Sequence, residues 1–180
     1  FPNIPPRSDS IVAALVDEAH RSELRAVAHM VVVANISTAR RLIELGLDEF
    51  GHPPFFGAAA EPVPDEVSEL ANMLNGRKVP VTTTVSVLDA YKDASGAEQT
   101  PNGSPYTPVR RQSFERLLRI VPLLADAGVR LVVGTDWLER PPNAHDPRLM
   151  SGARTLHEME ILRRAGLTTT DIVTAATRNG

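Results

Sequence analysis

The sequence contains no cysteine. Disulfides, thiolate catalysis, iron–sulfur clusters and zinc-finger sites are therefore excluded. Aromatic residues are scarce, at 4%, too few for the stacking platforms that hold single-stranded nucleic acid. There is no surplus of positive charge: 19 Lys and Arg against 22 Asp and Glu give a net charge of −3. Such a surface provides no field for nucleic-acid phosphates or an anionic bilayer. No apolar run approaches the roughly 18 residues that mark a membrane-crossing helix. Neither a G-x-G-x-x-G nor a Walker A segment occurs, so a nucleotide-binding doubly wound domain lacks its phosphate loop. The expectation is a protein with no nucleic-acid and no membrane partner. Lack of cysteine does not fix a compartment. A cytoplasmic location is expected, with an exported form left open because the chain starts at Phe1 rather than Met.

What is present is an ordinary globular composition. The 180 residues are 42% hydrophobic and 23% charged, enough to bury a core. The Pro-rich stretch 1–10 reads as a loop. Ser10 is placed to cap a helix over Ile11–Arg21, apolar at 11, 12, 15, 16 and 19. Leu24–Met30 reads as a buried strand ending in His29, and a helix from Asn35 or Ser37 to Leu45 follows, closed by Gly46. Leu47–His52 is a short strand, and Asp65 caps a helix to Leu74 closed by Asn75-Gly76. Val79–Val87 is β-branched and strand-like. Val109–Ala127 is a helix, with a bend expected at Pro122, and Val129–Val133 is a buried strand. Helices over 153–165 and 169–177 complete the chain.

Strict alternation of helices and strands predicts parallel strands with right-handed crossovers. The helix-to-strand returns are short, whereas the strand-to-helix loops 53–64, 88–108 and 137–152 are long and rich in Pro, Gly, Asn and Asp. In α/β folds the carboxyl ends of the strands carry the site, and those loops build it.

Three candidate ligands lie at that face: His29 after R-A-V-A, His52 after D-E-F-G, and Asp136 in V-V-G-T-D. Two imidazoles and a carboxylate suit zinc or another borderline divalent metal. The carboxylate can also act as base toward a metal-activated water. Singly, each has a plainer reading: a hydrogen-bonded strand-end histidine, or an aspartate capping a helix or turn. His157 lies inside a helix and reads as packed or capping. His20 reads as a packing or helix-end charge, and Glu158 and Glu160 as a solvated helix face. His145, in N-A-H-D-P, is either solvated or in contact with substrate. Trp137 either lines a pocket or packs.

Three segments resemble the amidohydrolase superfamily, nearest to its imidazolonepropionase-like and prolidase-like branch. They are AVAHMVVVANISTARRLIELGLDEFGH, VRLVVGTDW and TLHEMEILRRAGLTTTDIVTAATRNG. The resemblance implies an α/β fold of the (β/α)8 TIM-barrel type, of which this chain supplies about strands 5–8. Residues 1–180 would be the carboxyl-terminal part of a metal-dependent amidohydrolase barrel, within a longer chain. The resemblance assigns metal binding to His29, His52 and Asp136, and catalytic roles to Asp136 and His52. In mononuclear members the position of His52 contacts substrate instead. Trp137 and His145 are expected to touch substrate. The implied cofactor is one or two divalent ions, zinc foremost.

The departures are as informative. No H-x-H pair occurs, and the only lysines, Lys78 and Lys92, do not fit the family's strand-4 lysine. A full barrel takes about 250 residues. The implied activity is hydrolysis of C–N bonds in amides, peptides or cyclic amides by an activated water, complete only with the other half of the barrel. The implied partners are a small amide or peptide substrate and either that missing half or a second copy of the chain. A half barrel is expected to expose strand edges at 24–30 and 129–133. The alternative is a non-catalytic barrel fragment with a binding or assembly role.

Overall fold

Four parallel strands lie side by side in the order in which the chain makes them: β1 (Val27–Ala28), β2 (Glu49–Phe50), β3 (Val81–Thr82) and β6 (Leu131–Val132). The computed structural model describes residues 8–29, 36–55, 62–92, 95–100, 104–136 and 152–180. The register pairs Val27 with Glu49, Ala28 with Phe50, Phe50 with Val81 and Val81 with Leu131. Helix α1 (Asp9–Arg21) precedes β1, and α2 (Ile36–Glu44), α3 (Pro64–Arg77) and α4 (Pro108–Asp126) form the successive crossovers. Helices α5 (Ala153–Ala165) and α6 (Thr169–Ala176) follow β6. The connection from β3 to α4 contains an antiparallel pair, β4 (Tyr91–Lys92) and β5 (Glu98–Gln99).

The two faces of the sheet differ. Phe50, Val81 and Leu131 pack with Leu70 and Leu74 of α3, Leu117 and Leu124 of α4, and Ile161 and Leu162 of α5 in one apolar cluster. The alternate residues face away from it. Leu24 and Val27 are 63% and 56% exposed, so the 24–30 strand is not buried as its apolar run suggested, and Glu49, Thr82 and Val132 are only half-buried. This second face carries a polar row: Arg25 pairs with Glu49 at 3.0 Å, and the Thr82 hydroxyl donates to Glu49 at 2.7 Å.

Several boundaries differ from the sequence reading, each for a physical reason. Helix α1 starts one residue before Ser10, with Ser8 in the cap position at φ −62° and ψ 146°. Asp65 lies in the first turn of α3 rather than at its cap, and Glu66 accepts from the Val63 amide at 3.2 Å. That helix continues through Gly76 to Arg77 and ends on Lys78 at φ 57°. Helix α4 runs on through Pro122, held there by buried Val121 and Leu124 on either side.

The largest difference is in Val79–Val87. Only Val81–Thr82 joins the sheet, because Thr84 turns to φ 45° and residues Val85–Leu88 form a short 3₁₀ turn. Glycine does close α4: Gly128 has φ +79°, and a Cβ there would stand 3.0 Å from Asn75 Nδ2. The 129–133 edge, expected to be open, is partly covered. The Val133 amide donates to Ala175 O at 3.0 Å, and Asn179 Nδ2 donates to Leu131 O at 2.9 Å.

The two-faced sheet predicts opposite responses to truncation. Phe50→Ala, at a fully buried position, should cost roughly 3–5 kcal/mol in urea unfolding. Val27→Ala, on the open face, should cost less than about 1 kcal/mol. Equal losses at the two positions would mean that both faces are packed.

Candidate active site

The carboxyl ends of the four parallel strands converge on His52. Just past β2 the Gly51 amide donates to Ala28 O at 2.8 Å, which ties the ends of β2 and β1 together. His52 follows at once and is 2% exposed, so its ring nitrogens must find protein partners. Nε2 lies 2.8 Å from Nδ1 of His29, just past β1. The two rings meet edge to face with centroids 4.4 Å apart. Nδ1 lies 2.6 Å from the Thr84 hydroxyl, just past β3. Asp136, past β6, places Oδ2 3.9 Å from His52 Nε2 with 35% of its side chain exposed. The structure thus brings His29, His52 and Asp136 to one point.

Backbone geometry makes this approach possible. Both Thr84 and Asp136 adopt the left-handed region, at φ 45° and φ 46°. For a β-branched residue such as Thr84 that conformation costs on the order of 1–3 kcal/mol. Gly134 is required for a different reason. A Cβ there would stand 2.3 Å from Thr82 Cγ2 and 3.2 Å from Thr84 Cγ2. Only glycine lets β6 come close enough to β3 to aim Asp136 at His52.

Burial pushes the His52 imidazole down to about 4, the carboxylate of Asp136 opposing that shift and His29 adding to it. His52 is therefore neutral at physiological pH, the form a metal ligand or a proton acceptor requires. Two imidazoles and one carboxylate form a donor set suited in chemistry to a borderline divalent cation. In spacing, His29 and His52 stand at hydrogen-bonding distance, closer than the roughly 3.3 Å between two nitrogens on one zinc. Among the described residues no group of three or more His, Asp or Glu is already arranged to hold a metal ion.

The remaining candidates divide as follows. His157 Nε2 meets Asp89 at 2.9 Å and its ring lies 5.9 Å from that of Tyr91, a packed role away from the three converging groups. His20 pairs with Asp48 at 2.8 Å. Glu160 is solvated and pairs with Arg163. Glu158, read as part of the same solvated face, is instead fully buried. It accepts from the Thr83 hydroxyl at 2.6 Å and from the amides of Val85 and Ser86 at 2.9 and 2.6 Å. Burial pushes its carboxyl up while those bonds pull it down. Trp137 and His145 lie outside the described residues. Thr84 was missed in the sequence, where the run Thr82-Thr83-Thr84 carries only a strand signal.

No protein-family model matches the chain, and no curated protein matches it. Solved structures do. A crystal structure of an amidohydrolase superposes with a TM-score of 0.67 at 18% identity, over 96% of this chain and 36% of that one. A Xaa-Pro dipeptidase with methionine bound in its active site gives 0.64 at 15% identity, over 96% and 37%. Ochratoxinase of A. niger gives 0.64 at 18% identity, over 99% and 34%. The chain therefore shares its fold with part of amidohydrolase and peptidase structures of the TIM-barrel type, and spans about a third of their length. The likeness to amidohydrolases drawn from the sequence holds in the structure.

The depressed His52 sets a pH dependence. An unfolded histidine takes up its proton near pH 6.5, whereas native His52 does so only near 4. The native state is thus favoured fully above about pH 6.5, loses that contribution as pH falls to about 4, and loses no more below. The contribution is on the order of 3 kcal/mol. In the metal-free protein, NMR should show His52 titrating near 4, and His52→Gln should flatten the stability profile across that window. A His52 titration near 6.5 would contradict its burial.

Proposed function

We propose that this chain is the carboxyl-terminal half, about strands 5–8, of a (β/α)8 barrel in a metal-dependent hydrolase of C–N bonds. The substrate class is amides, peptides or cyclic amides. The observation that carries the proposal is the convergence of His29, His52 and Asp136 at the carboxyl ends of β1, β2 and β6. The fold shared with an amidohydrolase and a dipeptidase supports it.

One or two divalent ions, zinc foremost, would be held by His29, His52 and Asp136, with the remaining ligands from the other half of the barrel. When bound there, such an ion supplies a Lewis acid and lowers the pKa of water. The chain's own groups do the rest. Asp136, the most exposed arm of the pair it forms with His52, accepts a proton from the attacking water and returns it to the departing nitrogen. The amine then leaves neutral rather than as an amide anion. Neutral His52, held by Thr84, keeps a ring nitrogen directed at the same point. Trp137 and His145 would contact substrate from the segment that follows Asp136. The partner of the chain is the other barrel half, with a second copy of the chain as its substitute over the open sheet face.

A second reading is a non-catalytic barrel fragment that binds or assembles. The direct hydrogen bond between His29 and His52 favours it, since that bond occupies His52 Nε2 and His29 Nδ1 without a cation.

Assay of the protein, expressed with the sequence that flanks this segment, separates the two. It is stripped of metal, reloaded with zinc and offered N-acyl amino acids, dipeptides and cyclic amides, with amine release as the readout. Zinc-dependent hydrolysis of one class is expected, and Asp136→Asn should lower kcat by about 100-fold or more. Zinc-independent turnover, or full activity in Asp136→Asn, would contradict the mechanism. An absence of turnover on every class with zinc bound would favour the second reading.

A further inference from the structure

The turn that follows β3 is held from one side and used from the other. Glu158, on α5, takes the Thr83 hydroxyl and the Val85 amide on Oε1, and the Ser86 amide on Oε2. These groups flank Thr84 on both sides and leave its own hydroxyl to His52 Nδ1, at 2.6 Å. Thr84 stands at φ 45° and ψ 28°, a conformation that a threonine keeps only where its neighbours are fixed. Four residues earlier on the same helix, buried Arg154 donates to Thr135 O at 3.3 Å, beside Asp136. One helix therefore braces the ends of both β3 and β6.

We propose that Glu158 is a positioning residue for the candidate metal site: by clamping Thr83, Val85 and Ser86 it holds Thr84 in its left-handed conformation, and Thr84 in turn fixes the tautomer of His52. The part concerning metal rests on the function proposed above; the part concerning the tautomer does not.

The chemistry is as follows. His52 donates its Nδ1–H to the Thr84 oxygen, which leaves the Nε2 lone pair facing His29 and Asp136. That is the form in which Nε2 can take a cation, and fixing the far nitrogen is how ligating histidines are oriented. Without the clamp the turn relaxes toward extended backbone, the Thr84 hydroxyl leaves Nδ1, and His52 samples both tautomers. Glu158→Gln is nearly isosteric but has one acceptor oxygen. Its amide nitrogen must then face either the Ser86 amide or the Thr83 and Val85 donors, so the clamp opens at one end.

The test is ¹⁵N NMR of imidazole-labelled, metal-free protein, with His52 assigned through His52→Gln. The wild type should show a single Nδ1–H tautomer. Glu158→Gln and Thr84→Val should both shift the His52 nitrogens to an average of two tautomers, and Thr84→Ser should restore the wild-type pattern. Titration with zinc alone should weaken about 10–100-fold in Glu158→Gln and Thr84→Val. Should Glu158→Gln fail to fold, Thr83→Val, which removes one of the three donors, replaces it and should shift the same signals. Unchanged His52 nitrogens in the Glu158 or Thr83 variant overturn the proposal, as do unchanged nitrogens in Thr84→Val or an Nε2–H tautomer in the wild type. Tautomer shifts without zinc binding or hydrolysis support the clamp and remove the metal. Zinc-dependent hydrolysis with tautomers indifferent to Glu158 removes the clamp alone.

Discussion

A histidine ring taken out of water must satisfy two nitrogens inside the protein, and at His52 that demand ties three strand ends together. The ring is 2% exposed, with Thr84 at one nitrogen and His29 at the other. An unpartnered polar atom at that depth would cost on the order of 1–3 kcal/mol. The ends of β1, β2 and β3 can therefore slide relative to one another only by breaking those bonds. The parallel register serves the same end, since Ala28, Phe50, Val81 and Leu131 lie level across the sheet and the functional groups follow within a few residues. The fourth strand end joins through Gly134, whose lack of a Cβ admits Asp136 to within 3.9 Å of the ring.

The sheet is asymmetric, and the asymmetry bears on how the chain works. One face is an apolar core shared with α3, α4 and α5. The other carries Arg25, Glu49 and Thr82 in a polar row beside an exposed Val27. In the function proposed above, this open face is the surface that the other barrel half would cover. At the far edge, Ala175 and Asn179 already take two outward polar groups of β6. The terminal helix thus blunts the edge at which a half sheet would otherwise pair without control.

Much of this was legible in the sequence because it depends on local pattern. Helices and strands alternate at short range, and Gly46, Gly128 and Gly166 stop helices with positive φ where expected. His29, His52 and Asp136 stood out because each follows an apolar strand core. What was not legible depends on contacts distant in the chain. The Thr82-Thr83-Thr84 run has strong strand propensity, yet Glu158, 75 residues from Thr83 along the chain, draws the following amides into a turn. On its own helix Glu158 stands three and four residues before Ile161 and Leu162, on the buried stripe, but its charge reads as solvated until α5 docks against the end of β3 and supplies its donors. Strand lengths were overestimated for a related reason: the apolar segments extend beyond their ladders to meet the helices, as Val79 and Val129 do.

The central claim is that His29, His52 and Asp136 form one cation site. Its most direct test is anomalous diffraction at the zinc edge from crystals of the protein grown with zinc. The account predicts one strong peak bounded by the His29 and His52 imidazoles and the Asp136 carboxylate, at about 2.0–2.2 Å from each ligating atom, with the hydrogen bond between the two histidines opened. A map with the His29–His52 hydrogen bond intact and zinc bound elsewhere, or nowhere, would contradict it.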